Sequence, residues 1–284
     1  MNDNSSRSSQ YGLEPDGLPT LPIKPHTEVK HKIVQEYLSL FTQSMKKKWG
    51  KLVYLDLFAG PGRSEIDGSQ RIISGSPLLA LEIKQSFDCY IFCEKKKENI
   101  SALENRVESM HHPSDVHFII GDVNANVEKV LKACPAYSQT NTVLGLCYAD
   151  IFGLSDLSFS TIQQLANRRM DFIILIPTEM DAIRNLRINY LDPDNHILDD
   201  FFGTDDWRKK WPDEESRGTT FSKFMIKFYE ERMGEYNYRY GGNELIRSTN
   251  RKRSLYRLGF FSEHPLGEKF WNLAKQHHQQ NLFN

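Results

Sequence analysis

The chain has 284 residues, 39% of them hydrophobic and 26% charged, with 36 Lys and Arg against 37 Asp and Glu. A formal net charge of −1 carries no global signature of a nucleic-acid binder, although it leaves room for a local basic patch. The longest apolar stretches, such as FIILI at 172–176, fall far short of the roughly 20 residues that span a bilayer, and the first twenty residues are polar, so a cytoplasmic protein with no membrane partner is expected.

Residues 1–25 are rich in Ser and Pro, lack hydrophobic periodicity and read as a flexible N-terminal tail. From Thr27 onward Val29, Ile33, Val34, Tyr37, Leu38, Phe41 and Met45 fall on one helical stripe, which ends in the run Lys46, Lys47, Lys48. Strands and helices then alternate. KLVYLDLF (51–58) reads as a strand, and SPLLALEIKQSF (76–87) as a helix announced by Ser76 and Pro77. CYIFCE (89–94) is a strand, KENISALENRVESM (97–110) a helix with Ile100, Leu103, Val107 and Met110 inward, and VHFII (116–120) a strand. A helix around 127–134, the strand TVLGLCYAD (142–150), the helix LSFSTIQQLANRR (157–169) and the strand DFIILIP (171–177) follow.

Five apolar strands separated by amphipathic helices predict an α/β fold, a doubly wound and mostly parallel sheet covered on both faces. After Pro177 the rhythm breaks into a helical insertion over about 178–234. EYNYRY (235–240) and SLYRLGFF (254–261) then bring the sheet to about seven strands, and PLGEKFWNLAKQ (265–276) forms a last helix. One domain over 26–284 is expected behind the tail. The four cysteines, Cys89, Cys93, Cys134 and Cys147, have no metal-ligand spacing and read as buried thiols.

The first four strands each end in an acid: Asp56, Glu94, Asp122 and Asp150. In an open parallel sheet the carboxyl ends of the strands line the ligand crevice, so four acids in consecutive units point to one rim. Asp56 and Phe58 open the turn AGPG, whose Gly60 and Gly62 let the backbone pass close to a bulky group. An acid after the second strand suits ribose hydroxyls, and one after the third suits an adenine amino group. GPGRSE has Glu65 where the dinucleotide pattern needs a third glycine, and no phosphate loop exists. An acid beside the turn would repel pyrophosphate but pairs, directly or through water, with the cationic amino-acid end of S-adenosyl-L-methionine.

DLFAGPG at 56–62 resembles the first motif of class I S-adenosylmethionine-dependent methyltransferases, especially nucleic-acid ones with D-x-F-x-G-x-G. YLDLFAGPGRSE, GSPLLALE (75–82), ADIFGLSDLSFSTIQQLA (149–166) and LGFFSEHPLGEKFW (258–271) together resemble the three-Cys-motif partner family, TcmP, in the family's order and over most of the chain from about residue 26. The resemblance implies a Rossmann-like class I methyltransferase fold, S-adenosyl-L-methionine as cofactor and a three-Cys-motif protein as partner. The family reads D-P-F-G where this chain has Asp150, Ile151, Phe152 and Gly153. D-P-F-G is similar to the fourth motif of enzymes that methylate exocyclic base amines, among them tRNA guanine-N2 methyltransferases. By that likeness Asp150 orients the amine and Phe152 stacks on the base of an RNA or DNA substrate, while Ile151 cannot fix φ as proline would.

The cofactor-binding candidates are therefore Asp56, Phe58, Gly60, Gly62, Glu94 and Asp122, and the catalytic candidates Asp150 and Phe152. Residues 63–75 read as a long loop from which Arg63 and Arg71 reach a substrate phosphate. The run at Arg247, Arg251, Lys252, Arg253 and Arg257 reads either as a nucleic-acid track or as a charged hairpin turn. Methylation of a protein or small molecule, and a non-catalytic cofactor-binding subunit that works with its partner, stand as alternatives.

Overall fold

The computed structural model describes residues 13–112, 114–179, 185–248 and 253–280. In chain order it holds β1 (Leu21–Ile23), the long helix α1 (Thr27–Met45), β2 (Lys51–Asp56), the hairpin of β3 (Arg63–Ile66) and β4 (Arg71–Ser74), and the short α2 (Ser76–Leu81). Then come β5 (Cys89–Glu94), α3 (Lys97–Met110), β6 (Asp115–Ile120), α4 (Val123–Ala133), β7 (Val143–Ala149), α5 (Phe159–Ala166) and β8 (Met170–Ile176). A short π-helical turn (Leu186–Tyr190) leads into α6 (Ile197–Phe202), α7 (Asp206–Ser216) and α8 (Phe221–Gly234). The described chain closes with β9 (Tyr240–Arg247), β10 (Ser254–Ser262) and α9 (Pro265–Gln280).

Seven strands form the central sheet in the order β6-β5-β2-β7-β8-β10-β9. β10 alone runs antiparallel to its neighbours β8 and β9, and the β2–β5, β5–β6, β2–β7 and β7–β8 pairs are parallel. This is a Rossmann-like, doubly wound and mostly parallel arrangement. β2 and β8 are buried almost end to end because helices cover both faces, which is why their sequences run apolar without alternation. The chain winds outward from β2 in one direction and from β7 in the other, so a crevice opens at the carboxyl ends of these two strands.

Four expectations need correction. Residues 13–25 do not form a tail: Leu13 N–H donates to the Ile72 carbonyl at 2.8 Å, and β1 pairs in parallel with β3. The buried Arg106 guanidinium holds this segment down through Asp16 at 2.8 Å and the Pro19 carbonyl at 2.9 Å, while also donating to the Pro61 carbonyl. Residues 1–12 lie outside the described residues. The long loop at 63–75 is instead the β3–β4 hairpin, turned by Gly68 and Gln70 at positive φ. The helix begun at Ser76 ends at Leu81 rather than Phe87, since Phe87 must leave it to pack among Phe41, Tyr54 and Tyr90. The strand expected at 235–240 starts at Tyr240, after a turn through Asn237 at φ 68°. Its glycines hid it: a Cβ on Gly241 would lie 2.3 Å from the Phe260 carbonyl oxygen, so this register of β9 against β10 needs glycine there.

Among the described residues no helix is long and apolar enough to cross a membrane. Trp207 and Trp211 pack with Phe202, Phe221 and Phe224, giving the helices after β8 an aromatic core of their own. Arg251 and Lys252 of the basic run lie outside the described residues.

Candidate functional site

β2 ends at Asp56, and the chain turns at once through Gly60 (φ 62°) and Gly62 (φ 87°). Gly62 is required twice over, because a Cβ there would also lie 2.7 Å from Leu103 Cδ1. At Gly60 a Cβ would meet only Leu21 Cδ2 at 3.9 Å, so its backbone conformation alone asks for glycine. The turn is fixed from below and from the side. Asp56 accepts from Phe58 N–H at 3.1 Å, Glu94 from Gly60 N–H at 3.0 Å, and the Cys93 carbonyl from Ala59 N–H at 2.9 Å.

A cavity of about 290 Å³ opens beside this turn. Its walls are Phe58 and Gly60–Gly62, the Asp150–Phe152 segment after β7, Leu255 and Tyr256 of β10, β1, and the first turns of α1. Asp150 forms an ion pair with Lys30, whose side chain is only 5% exposed and whose ammonium lies 5.8 Å from the centre of the Tyr256 ring. Next to it His31 is also buried, and its Nδ1 has no hydrogen-bond partner among the described residues. Burial, and then the Lys30 ammonium, push the His31 imidazolium down to a pKa of about 3, so the ring is neutral near pH 7.

Phe152 stands 73% exposed at the cavity mouth. Ile151 is buried in the core, and the Asp156 carboxylate accepts from Phe152 N–H at 3.0 Å and from Gly153 N–H at 2.8 Å. These contacts hold the turn that a proline at 151 would otherwise stiffen. Asn124 steadies the following segment by bonding the Asp156 carbonyl and the Ser158 and Thr161 hydroxyls.

The structure thus brings Phe58, Gly60, Gly62, Asp150 and Phe152 together around one space. Asp56 is not among them. It is fully buried under the turn, and burial, against hydrogen bonds from Ser76 and Phe58 N–H, lifts its pKa to about 7. A direct ion pair between Asp56 and a ligand's cationic end is closed off. Glu94 lies outside the cavity lining but touches the turn through Gly60. Asp122 caps α4 by accepting from Asn124 N–H at 3.0 Å and pairs with Lys95 at 3.1 Å. Burial works against its ionised form, but these partners hold its pKa below the usual range.

Arg63 and Arg71 do not reach out for phosphate. Arg63 pairs with Asp16 at 2.9 Å and Arg71 with Glu28 at 2.6 Å, so both tie the N-terminal segment and α1 to the hairpin.

Lys30, His31, Tyr256 and Arg106 escaped the sequence reading. A signal existed for the first two: they continue the buried stripe of Ile33, Val34 and Tyr37 one turn earlier, where a charge on an apolar face needs a reason. Away from the cavity, Cys89, Asp115 and His117 bring ligand atoms within 4.8 Å of one another across β5 and β6, a cross-strand grouping invisible to linear spacing.

No family model matches the sequence, and no curated protein matches it. Solved structures resemble it in fold. Protein LPL1258 of Legionella pneumophila, a DUF519 family member, is 12% identical over 85% of this chain and 88% of its own, with a TM-score of 0.48. Trm1 from Pyrococcus horikoshii, solved with S-adenosyl-L-methionine, is 8% identical over 92% of this chain and 62% of its own, with a TM-score of 0.46. The O-methyltransferase TomG from Streptomyces achromogenes, also solved with that cofactor, is 10% identical over 90% and 94%, with a TM-score of 0.44. Likeness at this level is one of fold alone.

Proposed function

We propose that the protein is an S-adenosyl-L-methionine-dependent methyltransferase acting on an exocyclic amine of a nucleic-acid base, in RNA or DNA. One observation carries the reading: a single cavity joins the glycine turn to Asp150 and the exposed Phe152 ring. The residues around it suit the cofactor. Gly60 presents bare backbone for its methionine side, Glu94, bonded to Gly60 N–H, is the acid assigned to the ribose hydroxyls, and Asp122 after the third strand is the one assigned to the adenine end. When bound, the sulfonium supplies an electrophilic methyl carbon and a neutral thioether leaving group.

The chain's own task is then alignment and desolvation of the nucleophile. Asp150 accepts a hydrogen bond from the amine, which aims the nitrogen lone pair at the methyl carbon, and it is the base placed to take the proton that the nitrogen sheds on methylation. Phe152 stacks on the base, a contact of about 1–3 kcal/mol. A second reading, turnover only in the company of a three-Cys-motif partner protein, is favoured by the ion pair through which Lys30 occupies Asp150.

Calorimetric titration with S-adenosylmethionine and S-adenosylhomocysteine, followed by labelled-methyl transfer to RNA, DNA and protein, tests both. No binding of either nucleoside removes the methyltransferase reading. Label in protein alone moves the substrate class, and label only when the partner is added supports the second reading.

A further inference from the structure

Lys30 and His31 enter the cavity from the first turns of α1 and have no part in the roles assigned above. Lys30 is a buried cation whose only charged partner among the described residues is Asp150, the residue that the methyl acceptor would need. His31 lines the same cavity as a neutral ring, 92% buried, and its Nδ1 has no hydrogen-bond partner among the described residues. A buried hydrogen-bonding atom without a partner is costly, and at a cavity wall it marks a position for a ligand atom.

We propose that Lys30 and His31 form the receptor for the α-carboxylate of the cofactor's amino-acid end; the inference rests on the methyltransferase reading.

A carboxylate only accepts hydrogen bonds, and this receptor only needs to donate them: the ammonium of Lys30, and the Nδ1–H tautomer of His31. The receptor is made of side chains rather than of the helix end, because Thr27 and Glu28 N–H already donate to the Lys24 and Pro25 carbonyls at 3.0 and 3.3 Å. Charge favours the exchange too. A buried ammonium cannot give up its carboxylate partner without a replacement, and the ligand carries one. Of the other titratable groups on this wall, Lys24 is largely exposed and paired with Asp67, and His26 lies 5.9 Å from the Tyr256 ring with its pKa pushed down, by burial first. Once the cofactor's carboxylate holds Lys30, the Asp150 oxygens face the cavity without their internal partner. The receptor thereby orders the site: cofactor first, amine second.

The test compares two nucleosides that differ in the amino-acid end. S-adenosylhomocysteine carries the carboxylate, and 5′-methylthioadenosine does not. Lys30→Met, and Lys30→Met with Asp150→Asn so that no buried charge is left alone, are titrated with both ligands beside the wild type. Circular dichroism confirms that the double variant is folded. Affinity for S-adenosylhomocysteine should fall by about tenfold or more, the scale of a lost charge-assisted hydrogen bond, while methylthioadenosine binds within about twofold of wild type. His31→Phe should lower only the S-adenosylhomocysteine affinity, by a smaller factor. Unchanged S-adenosylhomocysteine affinity, or an equal loss for both ligands in the folded double variant, overturns the carboxylate receptor and leaves the methyltransferase reading standing. Wild-type protein that binds neither nucleoside overturns both.

Discussion

Helix α1 runs from one cavity to another. Its first turns line the space beside the glycine turn, and its last turns, with Phe41 and Met45, line a space of about 380 Å³ at the opposite end of the sheet. The far cavity is the larger, and it too holds a buried acid, Asp171, whose pKa burial raises to about 6. The two ends differ in whether the polar atoms are satisfied. Asp171 accepts from the Tyr37 hydroxyl at 2.8 Å and from Ser262, all within the fold. His31 Nδ1 finds no partner among the described residues, and Lys30 holds a residue that lies at the centre of the proposed chemistry. A large volume and a perturbed acid therefore do not distinguish the two ends; the unpartnered His31 Nδ1, at the end where the parallel strands finish, does.

The contrast breaks most easily at Asp150. Asp150→Asn keeps the shape of the turn but weakens the acceptor, and labelled-methyl transfer should fall by about a hundredfold, the scale of one lost preorganised electrostatic contact. An unchanged rate would move the chemistry away from this end of the sheet.

Asp56→Asn probes the support beneath the turn. The carboxyl titrates near 4 in the unfolded chain and near 7 when folded. Between those values the native state keeps a proton that the unfolded state has released, so wild-type stability falls as pH rises through this window. Asparagine has no such slope. Denaturant titrations from pH 4 to 8 should therefore show the variant gaining on wild type up to about pH 7, by a total of the order of 4 kcal/mol, and no further above it. The difference removes the contributions of Asp171 and His31, which are common to both proteins. A pH-independent difference would mean that Asp56 is ionised in the fold.

Phe152→Ala should raise the KM for a nucleic-acid acceptor by the equivalent of about 1–3 kcal/mol of stacking. Its melting temperature should barely move, because the ring is 73% exposed. A cost in stability with no change in KM would make Phe152 a packing residue. The smallest effect belongs to the far end. Tyr37→Phe leaves Asp171 one donor short and should cost about 1–2 kcal/mol of stability, with S-adenosylhomocysteine affinity untouched. A change in that affinity would mean that α1 couples its two ends.

Much of this was legible before folding. The apolar runs at 51–56, 89–94, 143–149 and 170–176 announced buried parallel strands, since a strand covered on both faces needs no polar alternation. Gly60 and Gly62 were legible because only glycine tolerates their backbone angles cheaply. The β3–β4 hairpin was missed because each strand is four residues long and the outer edge of β3 pairs with β1, which itself reads as polar tail. Four acids at strand ends looked alike in sequence, yet only Asp150 faces the cavity; Asp56 is sealed, Glu94 braces Gly60 and Asp122 caps a helix.

The sequence by itself determined the alternation of strands and helices, the glycine turn after the first central strand and the acid at each strand end, because these are properties of local backbone and of hydrophobic period. Tertiary structure alone decided which acid lines the cavity, which arginines are taken up by the N-terminal segment, and that Lys30 and His31, far from every motif in the chain, line the same cavity as Asp150. Those outcomes depend on how α1 lies along the sheet with its first turns at the carboxyl ends of the strands, a long-range packing choice that no local pattern encodes.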